Sequence, residues 1–379
     1  MNSSSAAHTD PQPTRPAAPR PTTQMAIGCF IIPLIMVIIA FGLFTYVRAN
    51  ASARLTVPEG EVVQARAMPD SDSPLLARFG AGQELRIIGR TEDWRWLEVD
   101  LWDGQQGWTL RPLDILVWQM EVPAKVPQPP DSLPPPVTPE TTQMIDIPAT
   151  TFTMGSPPGL GEPDEEPAHP VSLSAFAIDQ TEVTVGQYWQ CVEAGECAAP
   201  IADASQTEPH YINDPVFDNH PVINVSWAEA NRYCLWQGKR LPTEAEWEAA
   251  AGWDNDRGAK LLWPWGNNAD ESQANVGDTS VGDAVVGGSF PNDRSPLGLL
   301  DTGGNISEWV FDWYKVDYYS VADDTDPVGP THRRGEGTGR VVRGGSFADP
   351  IDQARTTNRG HREATYGYPT VGFRCASDR

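Results

Sequence analysis

Three hydrophobic patterns divide this chain. Residues 25–47, MAIGCFIIPLIMVIIAFGLFTYV, carry no charge and predict a helix able to cross about 30 Å of hydrocarbon. Residues 75–116 alternate apolar and polar positions between Gly and Asp turns, the period-2 pattern of short strands joined by hairpins. From residue 144 onward the pattern is mixed. MIDIPATTFTMGS and HPVSLSAFAIDQTEVTVGQYWQCV predict a strand, a glycine turn, a second strand and a helix. Capping boxes, in which a hydroxyl and the side chain three residues later satisfy orphan amides, mark three helix starts. They are Thr184 with Gln187, Ser226 with Glu229, and Thr243 with Glu246. Loops rich in Gly, Asn and Asp fill much of 252–303, so regular structure is expected to be sparse there.

Composition then assigns the intervening pieces. Residues 1–24, rich in Ser, Thr, Pro and Ala, predict a disordered cytoplasmic tail. Residues 119–143 are proline-rich, which predicts an extended linker of about 3.1 Å per residue holding its two neighbours apart. The apolar run is longer than a signal-peptide core of about 7–15 residues and lacks a small-x-small cleavage site, so a retained anchor is expected. Pro33 lies inside it, which membrane helices tolerate. Cys29 precedes the apolar core, which argues against a lipoprotein signal. Arg15 and Arg20 before the span balance Arg48 and Arg54 after it. The acidic body and its cysteines therefore place the C-terminal portion outside the cytoplasm, anchored by a single pass. A length of 379 residues accommodates two or three domains at about 150 residues each. The net charge of −24 excludes nucleic acid as a partner. Together, 36 prolines, 33 glycines and 14 tryptophans indicate a loop-rich body with aromatic packing.

The first unit beyond the membrane, residues 54–118, contains VVQARAMPDSDSPLLARFGAG, then WRWLEV at Trp94 to Val99 and GQQGW at Gly104 to Trp108. These stretches resemble bacterial Src-homology-3-like domains. The resemblance implies a small all-β barrel in which Trp94, Trp96, Trp102 and Trp108 divide between a core and a groove for a peptide or cell-wall ligand.

The remainder, 144–379, carries FTMGS, IDQTEVTVGQY, PVINVSWAEANRYCLWQGKRLPTEAEWEAAA, WPWGN, GGNISEWVFDW, RVVRGGSF and GFRCASDR. This set resembles the formylglycine-generating enzyme (sulfatase-modifying factor) family over nearly the whole segment. The fold implied is a single α+β domain, related to C-type lectins and low in regular secondary structure, with bound calcium. Four cysteines lie beyond the membrane, an even number suited to disulfides. Cys191 and Cys197 flank a short loop, whereas Cys234 and Cys375 match two family positions that pair with each other. Free buried thiols are the alternative, and no CxxC or HxxxH pair points to zinc. The resemblance also implies calcium ligands: the side chains of Asp301 and Glu308 with the carbonyls of Gly304 and Ile306. A second site would begin at Asn275 and the Val276 carbonyl, completed by Asp278 or Asp283. Hard oxygen donors suit this ion. The alternative is that Asp301 and Glu308 cap turns or pair with Arg343 or Arg374.

In the family, two cysteines near the C-terminus bind copper(I) and oxidise a sulfatase cysteine to formylglycine. Reading from RGGS, the equivalent positions here are Asp349 and Ala354. Copper(I) needs soft thiolates, so neither copper nor the oxidase activity is expected. Cys375 matches the structural pair and does not substitute. Ser346 is retained. His361, with Arg359, Arg362 and Tyr366, makes either a polar pocket or a solvated loop. Three readings follow. The first is an anchored binding or scaffold module for an extracytoplasmic protein, peptide or cell-wall ligand. The second is an enzyme of altered mechanism at Ser346, Asp349 and His361. The third is a formylglycine generator borrowing thiols from a partner.

Overall fold

The computed structural model describes residues 54–58, 60–91, 95–102, 104–110, 142–277, 282–331 and 339–379. The tail, the apolar run 25–47 and all but the end of the linker lie outside these residues, as do Trp94 and Asp278. Among the described residues, no helix is long and apolar enough to cross a membrane.

Six strands form the first unit: β1 (Arg54–Thr56), β2 (Val63–Arg66), β3 (Leu75–Phe79), β4 (Glu84–Arg90), β5 (Trp96–Asp100) and β6 (Gln106–Leu110). The alternation seen in the sequence sends Leu85, Ile87, Leu97, Val99 and Trp108 inward. The strands pair as one antiparallel sheet in the order β1-β4-β5-β6-β2-β3, with β1 and β3 at its two edges. The β3 edge faces the larger domain, where the Arg78 amide donates to the Asn213 carbonyl at 3.1 Å.

This contact corrects the expectation that the linker holds two units apart. Arg78 forms a two-pronged pair with Asp218, at 2.7 and 3.0 Å, with both side chains buried. Gln64 donates to Glu193 at 2.9 Å, and Val62 and Ala199 pack against the larger core. Trp102 stacks on His210 with ring centroids 4.2 Å apart. Gly80 is required by close approach, because a Cβ there would collide with Ala199. A linker's stiffness does not set the distance between its ends once such a contact repays the ordering. Trp96 and Trp108 are core residues, and the half-buried Trp102 stacks on His210.

The larger domain is α+β. Its strands are β7 (Met144–Ile147), β8 (Thr150–Met154), β9 (His169–Leu173), β10 (Phe176–Asp179), β11 (Trp253–Asp254), β12 (Ala259–Lys260), β13 (Ser307–Trp313), β14 (Gly339–Arg343), β15 (Gly360–Glu363), β16 (Val371–Gly372) and β17 (Ala376–Asp378). Its helices are α1 (Val185–Glu193), α2 (Trp227–Trp236) and α3 (Glu244–Gly252). The sheets run β17-β10-β7, β8-β9, β11-β12 and β15-β14-β13-β16. Among the described strand pairings, β13–β16 is parallel and the rest are antiparallel. Thr184 and Thr243 close full capping boxes on α1 and α3. At α2 half the box is made: Ser226 accepts the Glu229 amide, but the Glu229 carboxylate turns instead to the Ala198 amide.

One core gathers α1, α2 and β13 around Tyr188, Trp189, Val222, Trp309 and Phe373. A second joins Phe152, Phe176, Ala249 and Trp253. Both disulfides are present. Cys191–Cys197 closes the loop after α1, and Cys234–Cys375 ties α2 to the segment before β17.

Candidate functional site

Strand β14 ends at Arg343, and Gly344 and Gly345 follow at φ 95° and 70°, a left-handed turn that other residues resist. A Cβ on Gly345 would press on the Gln353 carbonyl and the Ala354 amide. The turn thus draws Ser346 against the short 3-10 turn Ile351–Ala354. The buried Ser346 hydroxyl donates to Asp349 Oδ2 at 2.6 Å and accepts from the Ala348 amide at 3.3 Å. The Asp349 carbonyl accepts from the Gly277 amide at 2.7 Å. Ala354 is fully buried among Trp263, Ala274, Val276 and Ile351. The three degenerate positions therefore meet around one turn.

These residues do not fit copper(I). A carboxylate and a methyl group replace the thiolates, and every cysteine among the described residues is in a disulfide.

His361 does not join them. It sits on β15 opposite Val341 and stacks on Tyr314, with centroids 4.0 Å apart. Burial and the neighbouring Arg362 charge hold its imidazole below its ordinary range. Its expected companion Arg359 is buried, with both prongs on Glu244 at 2.8 and 3.1 Å. Tyr366 is exposed. The polar pocket expected around His361 is thus one exposed ring, one committed guanidinium and a stacked imidazole.

The expected metal ligands lie in a buried acidic cluster. Glu308 is fully buried and accepts from Arg374 at 2.6 and 2.7 Å and from the Trp247 indole at 2.9 Å. Pairing with Arg374, one of the sequence alternatives, is what the structure shows for this residue. Arg343 instead serves Glu248 and Glu244. Asp301, itself at φ 57°, accepts the Gly288 amide at 2.6 Å. Burial drives its carboxyl up to about 6 against that amide and Arg374, with Glu308 adding repulsion. Burial and the Asp301 charge likewise push Glu182 and Asp293 well above the usual carboxylate range.

Among the described residues, Glu182 Oε2 and Asn275 Oδ1 are buried here without a donor. They are joined through Asn305, whose amide group donates to Glu182 Oε1 at 2.9 Å and accepts from Asn275 at 3.2 Å. Buried oxygens without donors beside excess negative charge fit a hard cation. Among the described residues, no three His, Cys, Asp or Glu side chains converge closely enough to hold an ion by themselves. Carbonyl and amide oxygens would have to complete any shell. Asp283 is committed to Ser205 and Thr207, whose hydroxyls donate to its Oδ2 at 2.5 and 2.7 Å.

Residues 130–379 match the profile of the sulfatase-modifying factor enzyme 1-like domain. The chain belongs to that family. Serine/threonine-protein kinase Pkn1 of Chlamydia trachomatis is 36% identical over 257 residues, covering 63% of this chain and 39% of the kinase. The chain thus spans about two fifths of that relative's length. The formylglycine-generating enzyme of Thermomonospora curvata is 34% identical, covering 62% of this chain and 93% of the enzyme. The inactive C-alpha-formylglycine-generating enzyme 2 of Bos taurus is 28% identical, covering 63% and 89%. The solved structure of PvdO from Pseudomonas aeruginosa superposes with a TM-score of 0.50 at 25% identity, over 64% of this chain and all of PvdO.

Sequence reasoning missed Glu182 and Asp293 within this sulfatase-modifying-factor domain, and the Arg78–Asp218 contact at its border with the first unit. In the sequence, nothing distinguishes these acids from surface ones. Only burial does.

Proposed function

We propose that this chain is a membrane-anchored extracytoplasmic protein whose sulfatase-modifying-factor domain binds or scaffolds a partner and has lost the formylglycine-generating reaction. The observation that carries this reading is the self-satisfied turn at the former reaction centre. Ser346 spends its proton on Asp349, and Ala354 is sealed under Trp263 and Ile351. Among the described residues the cysteines are all in disulfides, and His361 stacks on Tyr314 instead of reaching the Ser346 hydroxyl.

A family member named as inactive gives a precedent for such loss. Calcium is the ion assigned to the acidic cluster. Asp301, Glu182 Oε2, Asn275 Oδ1 and the carbonyls of Gly304, Ile306 and Val276 would supply oxygen, while Glu308 anchors Arg374 beside it. Its role would be structural, offsetting the buried charge.

The test combines metal analysis of the purified chain with a peptide-oxidation assay under oxygen and added copper. Calcium without copper, and no aldehyde on a cysteine-containing sulfatase-type peptide, is the expected result. Stoichiometric copper together with aldehyde formation would overturn the reading.

A further inference from the structure

A cavity of about 420 Å³ opens between the β9–β10 turn, the start of α3, β13 and β17. None of Ser346, Asp349, Ala354 and His361 lines it. Its floor is apolar: Leu173 and Leu241 are buried, while Phe311 and Val328 are 37% and 59% exposed at its edge. Two exposed large hydrophobics flanking a concave apolar floor are the usual features of a recognition pocket.

The charges at the mouth determine what it can take. Arg240 is spent on Glu246 at 2.6 Å and on Asp378 at 2.7 Å, and Arg379 on Asp146. Asp326, at φ 43°, accepts from the Ser174 amide and hydroxyl, both neutral donors, at 2.7 Å each. On the lining, Glu246, Asp326 and Asp378 outnumber Arg240 and Arg379, and Arg379 is already paired, so the mouth is acidic on a chain of net charge −24. Strand β17 is an edge strand of its sheet. Its outer side is taken at Ala376, whose amide and carbonyl both pair with Arg240, which leaves the Asp378 main chain outward among the described pairings. An edge strand beside an apolar pocket suits an extended peptide, whose main chain pairs with the edge while one side chain enters the pocket.

We infer that this cavity docks an extended polypeptide segment carrying an apolar side chain flanked by Lys or Arg. This rests on the binding role proposed above and gives that role a site and a partner chemistry. The apolar side chain fills the floor over Leu173, Leu241 and Phe311, and the flanking cations meet Asp326 and Asp378. Acidic and uncharged segments are rejected, the first by repulsion and the second by having nothing to pair with those carboxylates.

The test uses the full chain in non-ionic detergent and fluorescein-labelled Lys-Phe-Lys-Phe-Lys, read by anisotropy with empty micelles subtracted. Saturable binding is expected, weakened at least tenfold for Glu-Phe-Glu-Phe-Glu and for Lys-Ser-Lys-Ser-Lys. Val328→Lys, at an exposed edge position that does not threaten folding, should weaken binding at least tenfold. Val316→Lys, at an equally exposed valine outside the cavity (58%), should not. Asp349→Ala should also leave affinity unchanged. No binding of any of the three peptides, or equal binding by Val328→Lys, overturns the cavity as the docking site. Neither result touches the loss of oxidase chemistry, which the copper and aldehyde assays decide on their own.

Discussion

The turn at Ser346 and the acidic cluster lie in the same domain, linked through the loop stretch Asn275–Gly277, yet they use their polar groups in opposite ways. At the turn the exchange is complete: Ser346 satisfies Asp349, Gly277 satisfies the Asp349 carbonyl, and Ala354 asks for nothing. In the cluster, Glu182, Asp293, Asp301 and Glu308 share the charge of Arg374, and two oxygens go without donors. At the turn a carboxylate and a methyl group are accommodated within a few residues. Buried charge cannot be closed locally, because its remedy is a cation from outside. The turn meets its polar groups from within, while the cluster leaves two oxygens without donors among the described residues.

Four experiments would break or sharpen this contrast. The largest effect is expected from Arg374→Met, which strands Glu308 without its partner and worsens the excess charge. Removing one member of a buried pair costs about 3–5 kcal/mol, readable as a lowered urea midpoint with unchanged slope. Calcium comes next. At a hundredfold excess over its dissociation constant it should stabilise the chain by about 2.7 kcal/mol, and Asp301→Asn should abolish most of the gain in a thermal melt.

The pH response of the metal-free chain is smaller. The Asp301 carboxyl titrates near 6 when folded, above its unfolded value, so its protonated form favours folding. Stability should fall as pH rises through that range. Asp301 alone should make the metal-free chain more stable at pH 5 than at pH 7 by about 1 kcal/mol, with Glu182 and Asp293 adding in the same direction. Saturating calcium should remove or reverse this slope, and a chelated sample with no slope would count against a charge-strained cluster. The smallest effect belongs to the turn: Asp349→Ala deletes one hydroxyl–carboxylate bond and should cost about 0.5–1.5 kcal/mol. Calcium affinity measured by titration should not change with it. A larger loss there would mean the turn is not self-contained.

Much of this was legible along the chain. The capping hydroxyls at Thr184 and Thr243 act within four residues, so sequence spacing is enough to find them. At Ser226 the same spacing misled in part, because a tertiary acceptor, the Ala198 amide, competed for the Glu229 carboxylate. The Cys234–Cys375 bridge spans 141 residues and was accessible only through family resemblance. The degenerate positions were visible as Asp349 and Ala354, but His361 was grouped with them by proximity in sequence and the β14–β15 pairing places it against Tyr314 instead.

What the sequence determined by itself was short-range or chemical: the alternation that builds the six-stranded sheet, the helix starts, and the lack of sulfur at the old reaction centre. These depend on residue type and on spacings of a few positions. The tertiary structure alone decided which acids are buried together, that Arg374 rather than Arg343 answers Glu308, and that Arg78 locks the small sheet onto Asp218. A carboxylate's behaviour is set by its desolvation and by charges brought from distant parts of the chain, and neither exists until the chain has folded.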